Sequence, residues 1–171
     1  ERFVIGTKYS CSKDGKNPNA SGNQRKNMVE SLRGSLARLS TDYVDILWVH
    51  AWEEHSQVDE VMRGLDDLVR AGDVLYIGIC NTPAWVISRA NTMAELRGWS
   101  SFVGMQVEYS LTQRAAEREL IPMADELGIG VFGWSPLAGG VLTGKHLTPA
   151  PDSLRQQWIA TRNTQRNQTI A

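Results

Sequence analysis

Residues 74–85 read VLYIGICNTPAW and contain an apolar run, a short polar turn and the start of a helical segment. The run at 74–80 is rich in β-branched and aromatic side chains, which favours a strand. Thr82 has a side chain that suits a helix N-cap, and Pro83 suits the first helical position. In parallel α/β proteins such a strand-to-helix turn is where functional residues collect. This stretch therefore predicts a parallel α/β fold.

The same alternation of strand and helix continues on both sides of this stretch. Predicted strands cover 3–8, 43–50, 74–80, 102–109 and 129–135. Predicted helices start near Asn23 with an apolar stripe of Met28, Leu32, Leu36 and Leu39, then cover 58–69 with a stop at Gly72, 83–97 and 116–127. Strict alternation predicts a parallel sheet with helical crossovers, and nearly continuous apolar strands predict a sheet covered on both faces. A doubly wound open sheet and a (β/α)8 barrel both fit.

The composition excludes several classes of protein. The chain has 171 residues, 42% hydrophobic and 22% charged, with a net charge of -1. A charge so close to neutral predicts neither nucleic acid nor an anionic membrane surface as a partner. No apolar run approaches the roughly 20 residues of a membrane-spanning helix, so we expect no membrane insertion. Two cysteines are no disulfide framework and indicate a reducing, cytoplasmic setting.

Polar side chains stand at the predicted carboxyl ends of the strands. They are Lys8, His50, Asn81, Gln106 and the segment from Ser135 onwards. Each residue taken alone has a simpler interpretation. The lysine could be a solvated loop residue, and the histidine could have a purely structural role. The asparagine could belong to a turn, and the glutamine could bond to the backbone. Because burying such groups without a role is costly, their clustering predicts one shared site.

One segment matches a phosphate-binding pattern. Residues 139–145 read GGVLTGK, which fits G-x-x-x-x-G-K. A nucleotide-hydrolase loop would continue with Ser or Thr and a long helix, whereas here His146 follows and Pro149 and Pro151 come soon after. The segment therefore predicts a phosphate binder of another kind. Beyond it, 148–171 turns polar and predicts a loop, a partial helix or disorder, separate from a folded unit at 1–147.

The chain from about Arg2 to Lys145 resembles the aldo-keto reductases, most of all their aryl-alcohol dehydrogenase-like and potassium-channel β-subunit-like branches. The matching segments are GTKYS (6–10), SLRGSLARLSTDYVDILWVH (31–50), VLYIGICNTPAW (74–85), QVEYSL (106–111) and GWSPLAGGVLTGK (133–145). WVHAWE (48–53) points to the aryl-alcohol branch. The resemblance implies a TIM-type (β/α)8 barrel, here incomplete with about strands three to seven of eight. We expect such a fragment, expressed alone, to be inactive and prone to associate.

The resemblance also implies an activity. Aldo-keto reductases are NAD(P)H-dependent oxidoreductases that reduce aldehydes and ketones to alcohols, or the reverse, by hydride transfer. Of their catalytic Asp, Tyr, Lys and His, Lys8 and His50 match the last two, while the Asp and Tyr would precede Glu1. Tyr9 is no substitute, because neighbouring side chains on a strand point opposite ways. The alternative is a cofactor-binding regulatory subunit on the same scaffold, like channel β subunits, without significant turnover.

The remaining implied contacts concern the cofactor and the substrate. NADP is expected, with NAD left open, and no metal; the substrate would be a small carbonyl compound or alcohol, and a homo-oligomer is possible. Asn81 and Gln106 match residues that bind the nicotinamide carboxamide, and Tyr109 matches an aromatic that stacks on the ring or belongs to the core. The residues that match the pyrophosphate loop are Ser135, Pro136, Leu137, Gly139, Leu142 and Lys145. Trp52 and Trp85 would form a substrate wall or simply pack.

Overall fold

A computed structural model describes residues 2–12 and 14–144. The strands are β1 (Gly6–Tyr9), β2 (Val44–Val49), β3 (Val74–Cys80), β4 (Phe102–Glu108) and β5 (Gly130–Trp134). The helices are α1 (Arg25–Leu39), α2 (Val58–Ala71), α3 (Ala84–Arg97) and α4 (Leu120–Glu126), with short 3-10 turns at Pro18–Ala20, Ala115–Arg118 and Ala138–Thr143. Lys145 and the predicted polar tail at 148–171 lie outside the described residues.

The strand order separates the two candidate architectures. The sheet runs β1-β2-β3-β4-β5, and every neighbouring pair is parallel. A doubly wound sheet reverses its strand order at a switch point, whereas a barrel adds each strand beside the previous one. The described strands therefore have the order of five consecutive strands of a (β/α)8 barrel.

The hydrophobic core lies between one face of the sheet and the helices. Val49, Ile79 and Met105 point to this face and are almost fully buried, as are Met62 and Ile87 on the helices that cover it. Of α1, α2 and α3, α2 has the clearest hydrophobic face, and it ends where Gly72 adopts a left-handed φ of 84°. No helix in the described part of the chain is long and apolar enough to cross a membrane.

The first strand is shorter than the sequence predicted, and the last residue of the predicted apolar stripe in the first helix is not buried. Pairing of β1 starts at Gly6 rather than at Phe3, because the ladder with β2 begins with the Gly6 and Ile46 pair. Phe3 is 83% exposed. In α1, Met28 is buried as expected, but Leu39 is the last residue of the helix and is 46% exposed.

Two predictions of local structure were wrong. Thr82 does not cap α3: its hydroxyl donates to the carbonyl of Cys80 at 2.8 Å, and no side chain caps the helix. The helix predicted at 116–127 is broken into a 3-10 turn at Ala115–Arg118 and α4, which begins only at Leu120. The reason is Pro122, which lacks a peptide N–H and is tolerated only within the first turn of a helix.

Candidate active site

The register of the sheet defines a row of residues on the face opposite the helices. Lys8 pairs with Trp48, and the row continues through Gly78, Gly104 and Gly130. Partners in a parallel register point to the same face. We call this side of the sheet the inner face, since it corresponds to the interior of a barrel.

Trp48 forms the floor of the inner face. Its side chain is buried, and its ring meets that of Phe132 edge-on, with centroids 5.4 Å apart and planes at 78°. The indole fits only because its neighbours are glycines: a methyl group on Gly78 would overlap the ring, and one on Gly104 would come within 3.1 Å of it. The sequence analysis did not predict this floor. The pattern that indicates it is a glycine inside each of two apolar strands, Gly78 and Gly104, together with a tryptophan in a third strand.

The row above this floor carries polar groups. Cys80 pairs with Gln106, and Gln106 with Phe132, so all three belong to the inner face. Burial raises the pKa of the Cys80 thiol to about 11, and the positive charge of Lys8 opposes that rise. The charge of Lys8 therefore acts on the same face as Cys80. Gln106 is half-buried, and within residues 2–12 and 14–144 its side-chain amide has no hydrogen-bond partner.

Tyr9 faces away from this site, as the alternation of the strand predicted. Its ring is 2% exposed within the core, and its hydroxyl donates to the carbonyl of Asn23 at 3.3 Å. Burial, followed by the negative charges of Glu53 and Glu60, raises the pKa of Tyr9 far above its usual value. A phenol held in this way is a poor proton donor for the opposite face.

His50 follows β2 and is held by its own backbone. Its peptide N–H donates to the carbonyl of Tyr9 at 2.9 Å, and its carbonyl accepts from the side-chain amide of Asn81 at 3.3 Å. The ring nitrogen Nδ1 lies 3.3 Å from the sulfur of Cys11. These contacts tie the backbone of His50 to the ends of β1 and β3, and the ring itself contacts the sulfur of Cys11.

Asn81 connects two strand ends and keeps hydrogen-bonding capacity. It adopts a left-handed φ of 45°, which asparagine tolerates better than most residues. Its Oδ1 accepts from the indole N–H of Trp134 at 3.2 Å, and its Nδ2 donates to His50. An amide has two N–H donors and two acceptor lone pairs, so one of each remains for a ligand.

A buried asparagine positions the loops that follow β1 and β2. Asn23 is fully buried; its Nδ2 donates to Ser10 Oγ at 2.8 Å and to the Ala51 carbonyl at 2.9 Å, and its Oδ1 accepts from the Glu53 peptide N–H at 2.8 Å. Burial alone would raise the pKa of Glu53, but hydrogen bonds from Ser56, His55 and Asn23 outweigh it and lower the pKa. The sequence analysis did not predict the hydrogen bonds between Asn23 and Glu53, because no local sequence pattern links two residues that are 30 positions apart.

The loop after β5 has an unusual backbone. Ser135 and Ala138 have positive φ values of 54° and 50°, and Gly139 follows at 69°. Leu137 has a φ of -96° and a ψ of 18°, and the Ala138 peptide N–H donates to the Ser135 carbonyl at 2.8 Å, so this N–H is used inside the loop. Pro136 and Leu137 are exposed.

Leu142 packs on a small buried cluster of Ala138 and Val141. Lys145, the last residue predicted for this loop, falls outside the described residues.

The predicted aromatic residues are in different surroundings. Tyr109 packs against the core, and its hydroxyl donates to Glu117 at 2.6 Å, a contact that raises the pKa of the phenol. Trp52 also packs against the core, which is the simpler of its two predicted roles. Trp85 is 64% exposed in the first turn of α3. The described residues hold no group of three or more His, Cys, Asp or Glu side chains arranged to bind a metal ion.

Comparisons with known proteins find one matching family. The Aldo/keto reductase family matches residues 1–171. The chain is 42% identical over 138 residues to the aldo-keto reductase ausK of Emericella nidulans, covering 80% of this chain and 35% of that protein. It is 43% identical over 119 residues to the aryl-alcohol dehydrogenase [NADP(+)] of Phanerodontia chrysosporium, covering 70% and 31%.

A third relative is norsolorinic acid reductase B of Dothistroma septosporum, 39% identical over 145 residues, which cover 82% of this chain and 37% of that protein. The chain thus spans between about a third and a half of the length of the curated relatives it matches.

Proposed function

Because this chain belongs to the aldo/keto reductase family, we propose that it forms the carbonyl-binding and nicotinamide-binding part of an NAD(P)H-dependent oxidoreductase that interconverts aldehydes or ketones with alcohols. Two observations of strand register and hydrogen bonding support the proposal. Lys8 and Gln106 belong to the inner face, and Asn81 is bonded to the backbone of His50 at the same strand ends.

The residues present fit a nicotinamide cofactor. The unpaired amide of Gln106 and the remaining capacity of Asn81 match a carboxamide, which both donates and accepts hydrogen bonds. The loop after β5, which has positive φ values at Ser135, Ala138 and Gly139, is the part of the chain that we propose to lie against the phosphates. When bound, the cofactor carries the hydride. We favour NADP because a relative is named as an NADP(+) enzyme.

The chain's own residues bind and polarise the carbonyl group in this proposal. The imidazole of His50 donates a hydrogen bond to the carbonyl oxygen and fixes its orientation. The ammonium of Lys8 lowers the pKa of a neighbouring phenol and so eases proton transfer. Tyr9 is buried on the other face and Tyr109 is bonded to Glu117, so neither is proposed as the proton donor.

Cofactor binding is tested on the chain itself by titrating NADPH while following tryptophan fluorescence, since Trp48 and Trp134 lie at the proposed site. Gln106→Leu should weaken binding about tenfold, because the carboxamide loses one buried hydrogen bond. Gln57→Leu is the matched control, because Gln57 is an exposed amide at the start of α2 whose side chain caps nothing. No response to NADPH, or equal loss in both variants, would refute the proposed site.

Turnover is measured on the longest natural polypeptide that contains these residues, with an aromatic aldehyde and NADPH. We expect hydride transfer that falls at least a hundredfold in His50→Leu, because the carbonyl oxygen then loses its donor. Tight NADPH binding without any turnover would instead favour the regulatory-subunit alternative.

A further inference from the structure

The sulfur of Cys11 lies against the imidazole of His50. The distance from Sγ to Nδ1 is 3.3 Å, and the two residues are 39 positions apart, on the loops after β1 and β2. Cys11 is an exposed free thiol. No part of the function proposed above uses this thiol, and the resemblance assigned it no role.

Both partners are held by hydrogen bonds that do not involve the contact itself. The residue before Cys11 is Ser10, whose carbonyl accepts from the Gly22 peptide N–H at 2.7 Å and whose hydroxyl accepts from Asn23. His50 is fixed through its N–H and its carbonyl, as described above. The backbone next to Cys11 and the backbone of His50 are therefore both held in place where the two side chains meet.

The contact has consequences for the imidazole proton. In a neutral histidine one ring nitrogen donates and the other accepts. A cysteine thiol carries one S–H donor, and its sulfur is a weak acceptor, so in a pair of thiol and neutral imidazole the favoured arrangement has the thiol as donor and Nδ1 as acceptor. The ring proton then resides on Nε2. The opposite tautomer would leave Nε2 as an acceptor, unable to donate to a carbonyl oxygen.

We propose that Cys11 is a positioning residue for His50: its S–H donates to Nδ1 and keeps the ring proton on Nε2. The inference rests on the proposed function in one respect, since Nε2 is the nitrogen that would bind the carbonyl oxygen. A fixed second partner on a functional histidine commonly sets its tautomer and its ring orientation.

The tautomer is read by nitrogen NMR of the isotopically labelled chain near neutral pH, with the His50 signals assigned by their absence in His50→Gln. We expect the Nε2–H form in the wild type and in Cys11→Ser, whose hydroxyl also donates. In Cys11→Ala the share of the Nδ1–H form should rise severalfold, because the thiol donor is gone. Ser12→Ala, at the neighbouring exposed position, is the matched control and should leave the imidazole unchanged.

An Nδ1–H tautomer in the wild type, or no change in Cys11→Ala, would overturn the inference. The NMR measurement needs neither cofactor nor turnover. It can therefore refute the inference about Cys11 without affecting the proposed function, and failure of the proposed function would leave the NMR result unchanged. In the longest natural polypeptide, Cys11→Ala should lower kcat roughly three- to tenfold with little change in KM for NADPH, and Cys11→Ser should restore most of the loss. Equal loss in both variants would show that the thiol acts only by packing.

Discussion

At the scale of single residues, the most demanding fit is that of Trp48 against Gly78 and Gly104. The indole has room on the inner face because the neighbouring strands carry glycines at these two positions. Its ring also packs edge-on against Phe132. The site is therefore built on a rigid aromatic floor.

Gly78→Ala should lower the free energy of unfolding by about 2–3 kcal/mol, because the added methyl group would overlap the Trp48 ring. Urea unfolding followed by circular dichroism measures the change. Gly130→Ala is the matched control in the same row: its methyl group would lie 3.5 Å from the nearest atom, an ordinary contact. Similar losses in both variants would mean that Trp48 can move aside at little cost.

At the scale of elements, Asn23 joins the loops that carry Ser10 and Ala51, and with them the ends of β1 and β2. Asn23→Ala should lower the free energy of unfolding by about 3 kcal/mol, because it leaves buried donors and acceptors without partners. Asn19→Ala, which removes an exposed amide from the same segment, should change it little. Chemical denaturation of the two variants checks the difference, and equal stability would contradict the role given to Asn23.

Asp66 ties α2 to the loop before β4. Its buried carboxylate binds Arg70 at 2.6 Å and the Ser100 peptide N–H at 2.9 Å. Burial alone would raise the pKa of Asp66, but these hydrogen bonds outweigh it and lower the pKa below its usual range. Because the pKa of Asp66 is lower in the folded chain than in the unfolded chain, the carboxylate stabilises the fold at pH values above its unfolded pKa of about 3.9. This stabilisation is lost as the pH falls through the pKa that Asp66 has in the folded chain.

Asp66→Asn should therefore destabilise the chain near neutral pH by about 1–3 kcal/mol, and the difference from wild type should shrink below about pH 4. Unfolding midpoints measured across this pH range test it. The exposed Asp42→Asn should follow the wild-type curve throughout. A gap between wild type and Asp66→Asn that stays constant down to low pH would argue against the carboxylate as its source.

Element boundaries show where prediction from the sequence succeeds and fails. The predicted bounds of β3 agree with the structure, because its apolar run is closed by polar residues on both sides. The helix predicted from Ala116 was wrong in its start, because Pro122 lacks a peptide N–H and is tolerated only within the first turn, so α4 begins at Leu120. The Thr82 cap was wrong because a hydroxyl can bond backward to Cys80 as easily as forward, and the sequence does not decide between them.

At the scale of the whole molecule, the described sheet has two edges. Within residues 2–12 and 14–144, β1 and β5 each pair on one side only, and inner-face residues Tyr76 and Phe132 are 58% and 54% exposed. Unpaired parallel strands beside apolar surface are templates for association. The open inner face and the two edges are the features that a closed barrel would cover.

Sedimentation velocity of the chain should show association that increases with concentration. Phe132→Lys should reduce it, because it places a charge on the inner face near the β5 edge. Leu96→Lys is the control, since Leu96 is 82% exposed on α3, away from the strands. A chain that stays monomeric at all concentrations would contradict this expectation.

The sequence by itself determined the alternation of strands and helices, the parallel sheet and the places where Lys8, His50, Asn81 and Gln106 stand, because periodicity and turn chemistry are local properties. Only the tertiary structure decided what these side chains meet. The strand order that excludes a doubly wound sheet, the glycine space under Trp48 and the Cys11–His50 contact all join residues far apart in the chain. Such contacts depend on register and loop geometry, which no local pattern specifies.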